Sequence, residues 1–92
     1  MIIFFEKTSG KIVGTISGRL HSAHEINNTW VGDKETTNKF IVPYVPKEEG
    51  SSDYTPDVPF AELINEFESG VKDPHKHKVV LENDLVKGII PN

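Results

Sequence analysis

Cysteine is absent from this chain, and with it go disulfide staples and thiolate chemistry of any kind. Basic residues are few. Ten Lys and Arg stand against fourteen Asp and Glu, for a formal charge of -4, and the cations are scattered singly along the chain. A nucleic-acid binder draws most of its affinity from phosphate contacts, so this dispersal argues against a nucleic-acid partner. It argues equally against a basic membrane-surface helix. Long apolar runs are missing too: Ile2-Ile3-Phe4-Phe5 is followed at once by Glu6 and has no positively charged segment before it. The run is too short for a membrane span and lacks the flanks of a secretion signal, so the sequence predicts a cytoplasmic or particle-associated protein.

Catalytic signatures are likewise missing. The chain contains no G-x-S-x-G, no phosphate-binding P-loop and no G-x-G-x-x-G after a strand. Its conspicuous carboxylates fall on an outward helix face or at turns, whereas a general acid needs burial to raise its pKa. The sequence therefore names no catalytic residue and no cofactor. The sequon Asn27-Asn28-Thr29 has no secretion route to give it meaning.

What the chain does contain is turn-rich and hairpin-like. Seven Gly and six Pro in 92 residues favour short elements over long helices, and the length allows one domain, residues 1–92. The opening stretch from Ile2 to Ile16 sets two apolar, β-branched runs around Lys7-Thr8-Ser9-Gly10, with Gly10 placed to take the positive φ that closes a short hairpin loop. Alternation makes both faces of its first strand apolar. Such a strand belongs in the middle of a covered sheet, or one face meets a partner. Gly14 in the return strand marks a bulge or a close backbone approach.

Further along, His21 to Thr29 reads as a polar loop with a helical turn starting near Ser22, and Trp30 is the next apolar point. Phe40 to Val45 alternates as a strand that Pro43 confines to an edge or bulge. Residues 46–56 read as a flexible or extended loop. The amphipathic stripe Phe60, Leu63, Ile64, Phe67 and Val71 predicts a helix with Asp57 as N-cap, Pro59 in its first turn and Gly70 as its C-terminal cap. Its outer face carries Glu62, Glu66 and Glu68. The tail from Lys78 to Ile90 repeats the opening outline: an apolar strand ending in Glu, a tight Asn83-Asp84 turn, then a strand bearing Lys, Gly and isoleucines. The expected architecture is α+β: a small antiparallel sheet from the N- and C-terminal hairpins plus the Pro43 edge strand, with one amphipathic helix packed on one face.

The histidines are the residues that invite chemistry. His21 and His24 stand at i,i+3, His75 and His77 at i,i+2, and four imidazoles brought together would make a tetrahedral metal site, although neither spacing matches a known zinc motif. The leading expectation is a non-enzymatic structural or protein-interaction module, self-associating or fitted into a larger assembly, with Ile3, Phe5, Trp30 and Tyr54 as contact residues. The alternatives are a His-dependent metal-binding protein and a small regulatory domain that binds a basic partner through its acidic helix. The opening hairpin, about a sixth of the chain, resembles hairpins of phage tail and particle proteins in its run of acid, polar turn and Gly-Lys-Ile-Val-Gly from Glu6 to Gly14. That resemblance implies a setting in a phage-like particle or filament.

Overall fold

The opening strand sits at the centre of the molecule. In a computed structural model that describes residues 1–16, 32–50, 53–57 and 60–92, β1 (Ile2–Glu6) pairs antiparallel with β2 (Ile12–Ile16) on one side and with β3 (Thr37–Ile41) on the other. The three-stranded order is β2-β1-β3. The loop expected at His21–Thr29, with its helical turn, and Trp30 after it lie outside the described residues.

Alternation in β1 then divides the apolar load between two sides. Met1, Ile3 and Phe5 join Ile12, Val42, Ile64, Phe67 and Val79 in the main core. Ile2 and Phe4 point the other way and pack with Val13 and Ile16. All five are at most 3 % exposed. Each such side chain contributes about 1.5–3 kcal/mol by leaving water. Of the two placements open to a strand with two oily faces, the chain realises the first: the faces are covered from within.

Pro43 divides the expected strand Phe40–Val45 in two. It has no N–H to donate, and the ladder stops there. β3 ends at Ile41, and β4 (Tyr44–Pro46) starts a separate two-stranded ribbon with β5 (Tyr54–Pro56). The stretch 46–56 is thus a hairpin at both its ends: Lys47 N–H donates to Asp53 O (3.0 Å) and Asp57 N–H to Pro43 O (2.8 Å).

The helix α1 spans Ala61–Ser69 and buries Ile64 and Phe67 against the core. Gly70 closes it in the left-handed conformation at φ 81, as its position predicts. Two details differ from the sequence reading. The N-cap is Phe60, without a side-chain hydrogen bond, so Asp57 does not fill that role; its own N–H is engaged with β4's approach. Val71 lies beyond the Gly70 reversal, off the helical stripe, and is 72 % exposed. Pro59 falls outside the described residues.

A 3₁₀ turn (Pro74–Lys76) leads into β6 (His77–Glu82), which pairs antiparallel with β7 (Leu85–Pro91). Asn83 and Asp84, at φ 53 and 64, form the two-residue turn in which both central residues are left-handed. The two hairpins share a further trait, one extra residue in the return strand. The register jumps from Phe4↔Gly14 to Phe5↔Ile12 in one and from Val80↔Gly88 to Leu81↔Val86 in the other, so Val13 and Lys87 are the bulged residues.

The hairpins meet through Gly10. Val79 N–H donates to Gly10 O at 2.7 Å, and Lys11 bridges Lys78. Gly10 is at φ +77, and a Cβ there would lie 2.0 Å from Val79 O. No residue with a side chain fits this junction. The result is the expected α+β architecture, in which the hairpins contribute separate sheets joined by this bridge.

Candidate functional site

Two of the expected contact residues belong to the core. Ile3 and Phe5 are 0 % and 1 % exposed, because β3 completes β1's sheet on the side away from β2 and α1 and Val79 close over its odd-numbered face. They offer no contact surface, because the chain itself covers the N-terminal ribbon. Trp30 lies outside the described residues. Tyr54, on β5, is 42 % exposed.

The C-terminal histidines go different ways. His77 is buried beside Phe67, the rings meeting edge to face at 5.1 Å. Its Nδ1 lies 2.9 Å from Asp73 O; a carbonyl can only accept, so Nδ1 carries the proton. His75 is exposed. Its backbone N–H donates to Asp73 Oδ1 at 2.9 Å, a bond that holds the Asp73 carboxyl below the ordinary carboxylate range. Its Nε2 reaches Val13 O at 3.4 Å, which docks the 3₁₀ turn on the edge of β2. The histidine pair thus serves a turn and a core contact. Among the described residues no group of three or more His, Asp or Glu is placed to hold a metal ion, while His21 and His24 lie outside them.

The acidic helix face is partly engaged by its own chain. Lys72 Nζ pairs with Glu66 Oε2 at 3.2 Å. Tyr44 O–H donates to the Glu68 carboxylate, and burial together with that carboxylate pushes the Tyr44 phenol well above its usual range. The same region takes in the chain's start: burial pushes the Met1 ammonium down to about 6, against the opposing pull of Glu68's charge.

The surfaces left over are open ones. A groove of 460 Å³ runs between β3 and the tip of the C-terminal hairpin, floored by Phe5, Phe40, Leu81 and Val86, with Leu85 at its hairpin end, and rimmed by Lys39 and Asp84. A second, of 620 Å³, lies where Lys72, Asp73, Lys76 and His77 approach Pro91 and Asn92. Its lining mixes both signs of charge.

The outer face of β6–β7 is different in kind. Cross-strand partners point to the same side, so the pairs Val79↔Ile89 and Leu81↔Val86 face the core while Lys78↔Ile90, Val80↔Gly88 and Glu82↔Leu85 face away. Leu85 is 69 % exposed and Ile90 44 %. These two residues escape a reading that searches for unburied apolar runs. The signal was the alternation of Lys78, Val80 and Glu82, which marks a one-sided strand, set against isoleucine and leucine on its partner.

Strand edges, in contrast, are closed by local devices. On β3, Lys39 N–H is taken by Asn38 Oδ1 (2.9 Å) and Thr37 N–H by Asp33 O (2.8 Å). Pro46 and Pro56 interrupt the edges of the β4–β5 ribbon. β2 is occupied by the 3₁₀ turn and the β6 bridge, and β7 carries the Lys87 bulge and Pro91.

Comparison of the chain with protein-family models, with curated proteins and with solved structures finds no match. No helix among the described residues is long and apolar enough to cross a membrane.

Proposed function

We propose that this chain is a non-enzymatic protein-interaction module, a component that associates with itself or with a larger assembly, and that its contact surface is the outer face of the C-terminal hairpin. The observation that carries the reading is the exposure of Leu85 and Ile90, 69 % and 44 %, on a face whose opposite side already packs the core. The two stand near opposite ends of β7, and exposed apolar side chains on the face of a small sheet favour a protein partner over a small ligand, which would need a concave site. A setting in a phage-like particle or filament rests on the resemblance of the opening hairpin alone. The metal-binding and acidic-helix readings draw less support, since His77, Glu66 and Glu68 each have a role within the chain.

The test is the double variant Leu85→Ser/Ile90→Ser. Exposed positions contribute within about 0.5 kcal/mol each to stability, so its thermal melt should stay within a few degrees of the parent while concentration-dependent sedimentation is lost. A melt far below the parent's would make these residues structural and end the proposal. So would association that survives the substitution.

A further inference from the structure

We propose that the outer face of the β6–β7 hairpin docks a second copy of this chain, the two hairpins stacking face to face about a two-fold axis that lies in the interface, perpendicular to the strands, at the level of Val80 and Gly88. The proposal rests on the reading of this face as a contact surface and names its occupant. Its first support is the order of charges. Along β6 the outward residues run Lys78, Val80, Glu82, cation to anion about an apolar centre. Reversing a copy of that strand over itself sets Lys78 above the partner's Glu82 and Glu82 above the partner's Lys78. On β7 the same operation sets Ile90 above the partner's Leu85. One surface is thereby complementary to itself in charge and in apolar content, as a two-fold interface requires.

Among the described residues Lys78 also has no acid as partner. Its bridge partner is Lys11, a like charge directly opposite. A second copy offers the carboxylate of Glu82, which within its own chain lies 3.7 Å from Lys87 Nζ in an exposed pair, a contact worth little in water. At the centre, a Cβ on Gly88 would meet nothing within 4 Å, leaving room for close approach where stacked sheets come within about 10 Å of each other. The hairpin is electrically balanced, Lys78 and Lys87 against Glu82 and Asp84, although the chain as a whole carries -4. Lys11, opposite Lys78, adds one cation beside this balanced set. The closed strand edges favour stacking over strand addition. Six residues by two strands is a footprint of about 20 by 10 Å, far below the roughly 800 Å² per partner of a stable interface. The dimer is accordingly weak and reversible, populated at high protein concentration.

Sedimentation equilibrium over a wide concentration range tests it, with melts to confirm folding. Lys78→Glu and Glu82→Lys each oppose like charges twice across the axis and should weaken the wild-type dimer by about tenfold. The double variant Lys78→Glu/Glu82→Lys restores opposite pairs and should recover it. A wild-type chain that stays monomeric at every concentration overturns the proposal. Dimerisation that Leu85→Ser/Ile90→Ser abolishes, but that neither single charge reversal alters, overturns the two-fold stacking and leaves the contact-surface reading standing. Failure of the double variant to recover also counts against the stacking.

Discussion

The two hairpins read alike and are used in opposite ways. Each has an apolar strand ending in Glu, a tight turn with positive φ, and a return strand with one bulged residue. The first is the centre of the molecule, with Ile2 to Phe5 enclosed on both faces. The second lies at the periphery, one face on the core and the other in water. The difference is written in the odd and even positions. β1 has no polar residue before Glu6, whereas β6 interposes Lys78 and Glu82. A strand apolar on both sides must be covered twice, and here β3 and α1 help to do it from within.

The sharpest way to break this arrangement is at the junction of the hairpins. Gly10→Val puts a side chain into Val79 O and demands a left-handed β-branched residue. The expected loss is about 4 kcal/mol or more, enough to unfold a domain of this size; urea denaturation followed by circular dichroism checks it, and a near-normal midpoint would refute the junction.

Next is a matched pair of truncations. Phe4→Ala should cost about 3–5 kcal/mol and Ile90→Ala less than about 1 kcal/mol, measured by the same denaturation. Equal costs would erase the contrast between the enclosed and the one-sided strand.

The Met1 amine, beside the enclosed strand, adds a pH dependence to the contrast. Burial holds the Met1 ammonium near 6, down from 8.0. A base whose folded pKa is lowered binds its proton more readily when unfolded. Its burial is therefore penalised as pH falls from 8 towards 6, and stability rises with pH across that window. Melts on either side of it should show the rise, and acetylation of the amine should flatten it.

The smallest effect is a gain. Asp84 sits at φ 64, where Asp is tolerated and Gly preferred. Asp84→Gly should stabilise the second hairpin by about 0.5–1 kcal/mol, seen as a small rise in Tm. A fall would mean that the Asp84 side chain contributes more to the turn than its backbone costs.

Much of the fold was legible because its signals are local. Gly10, Gly70, the Asn83-Asp84 turn and the Phe60–Phe67 stripe each announce an element through one backbone or spacing requirement, and each is found where it was expected. Pro43 announced a break but not its consequence, a separate ribbon that draws in 46–56. The site was less legible. Nothing in a linear pattern shows that β3 will return to the open side of β1, so by sequence alone Ile3 and Phe5 pass for contact residues. By spacing alone Val71 continues the stripe, though Gly70 turns the chain away before it.

The bond between Gly10 and Val79 joins residues almost seventy positions apart. During synthesis the first hairpin leaves the ribosome long before the strand that seats its turn, so Ile3 and Phe5 wait for the last fifth of the chain before their cluster with Val79 is complete. Until then their strand is the segment most exposed to misassembly. Truncation ahead of Val79 would leave that condition permanent.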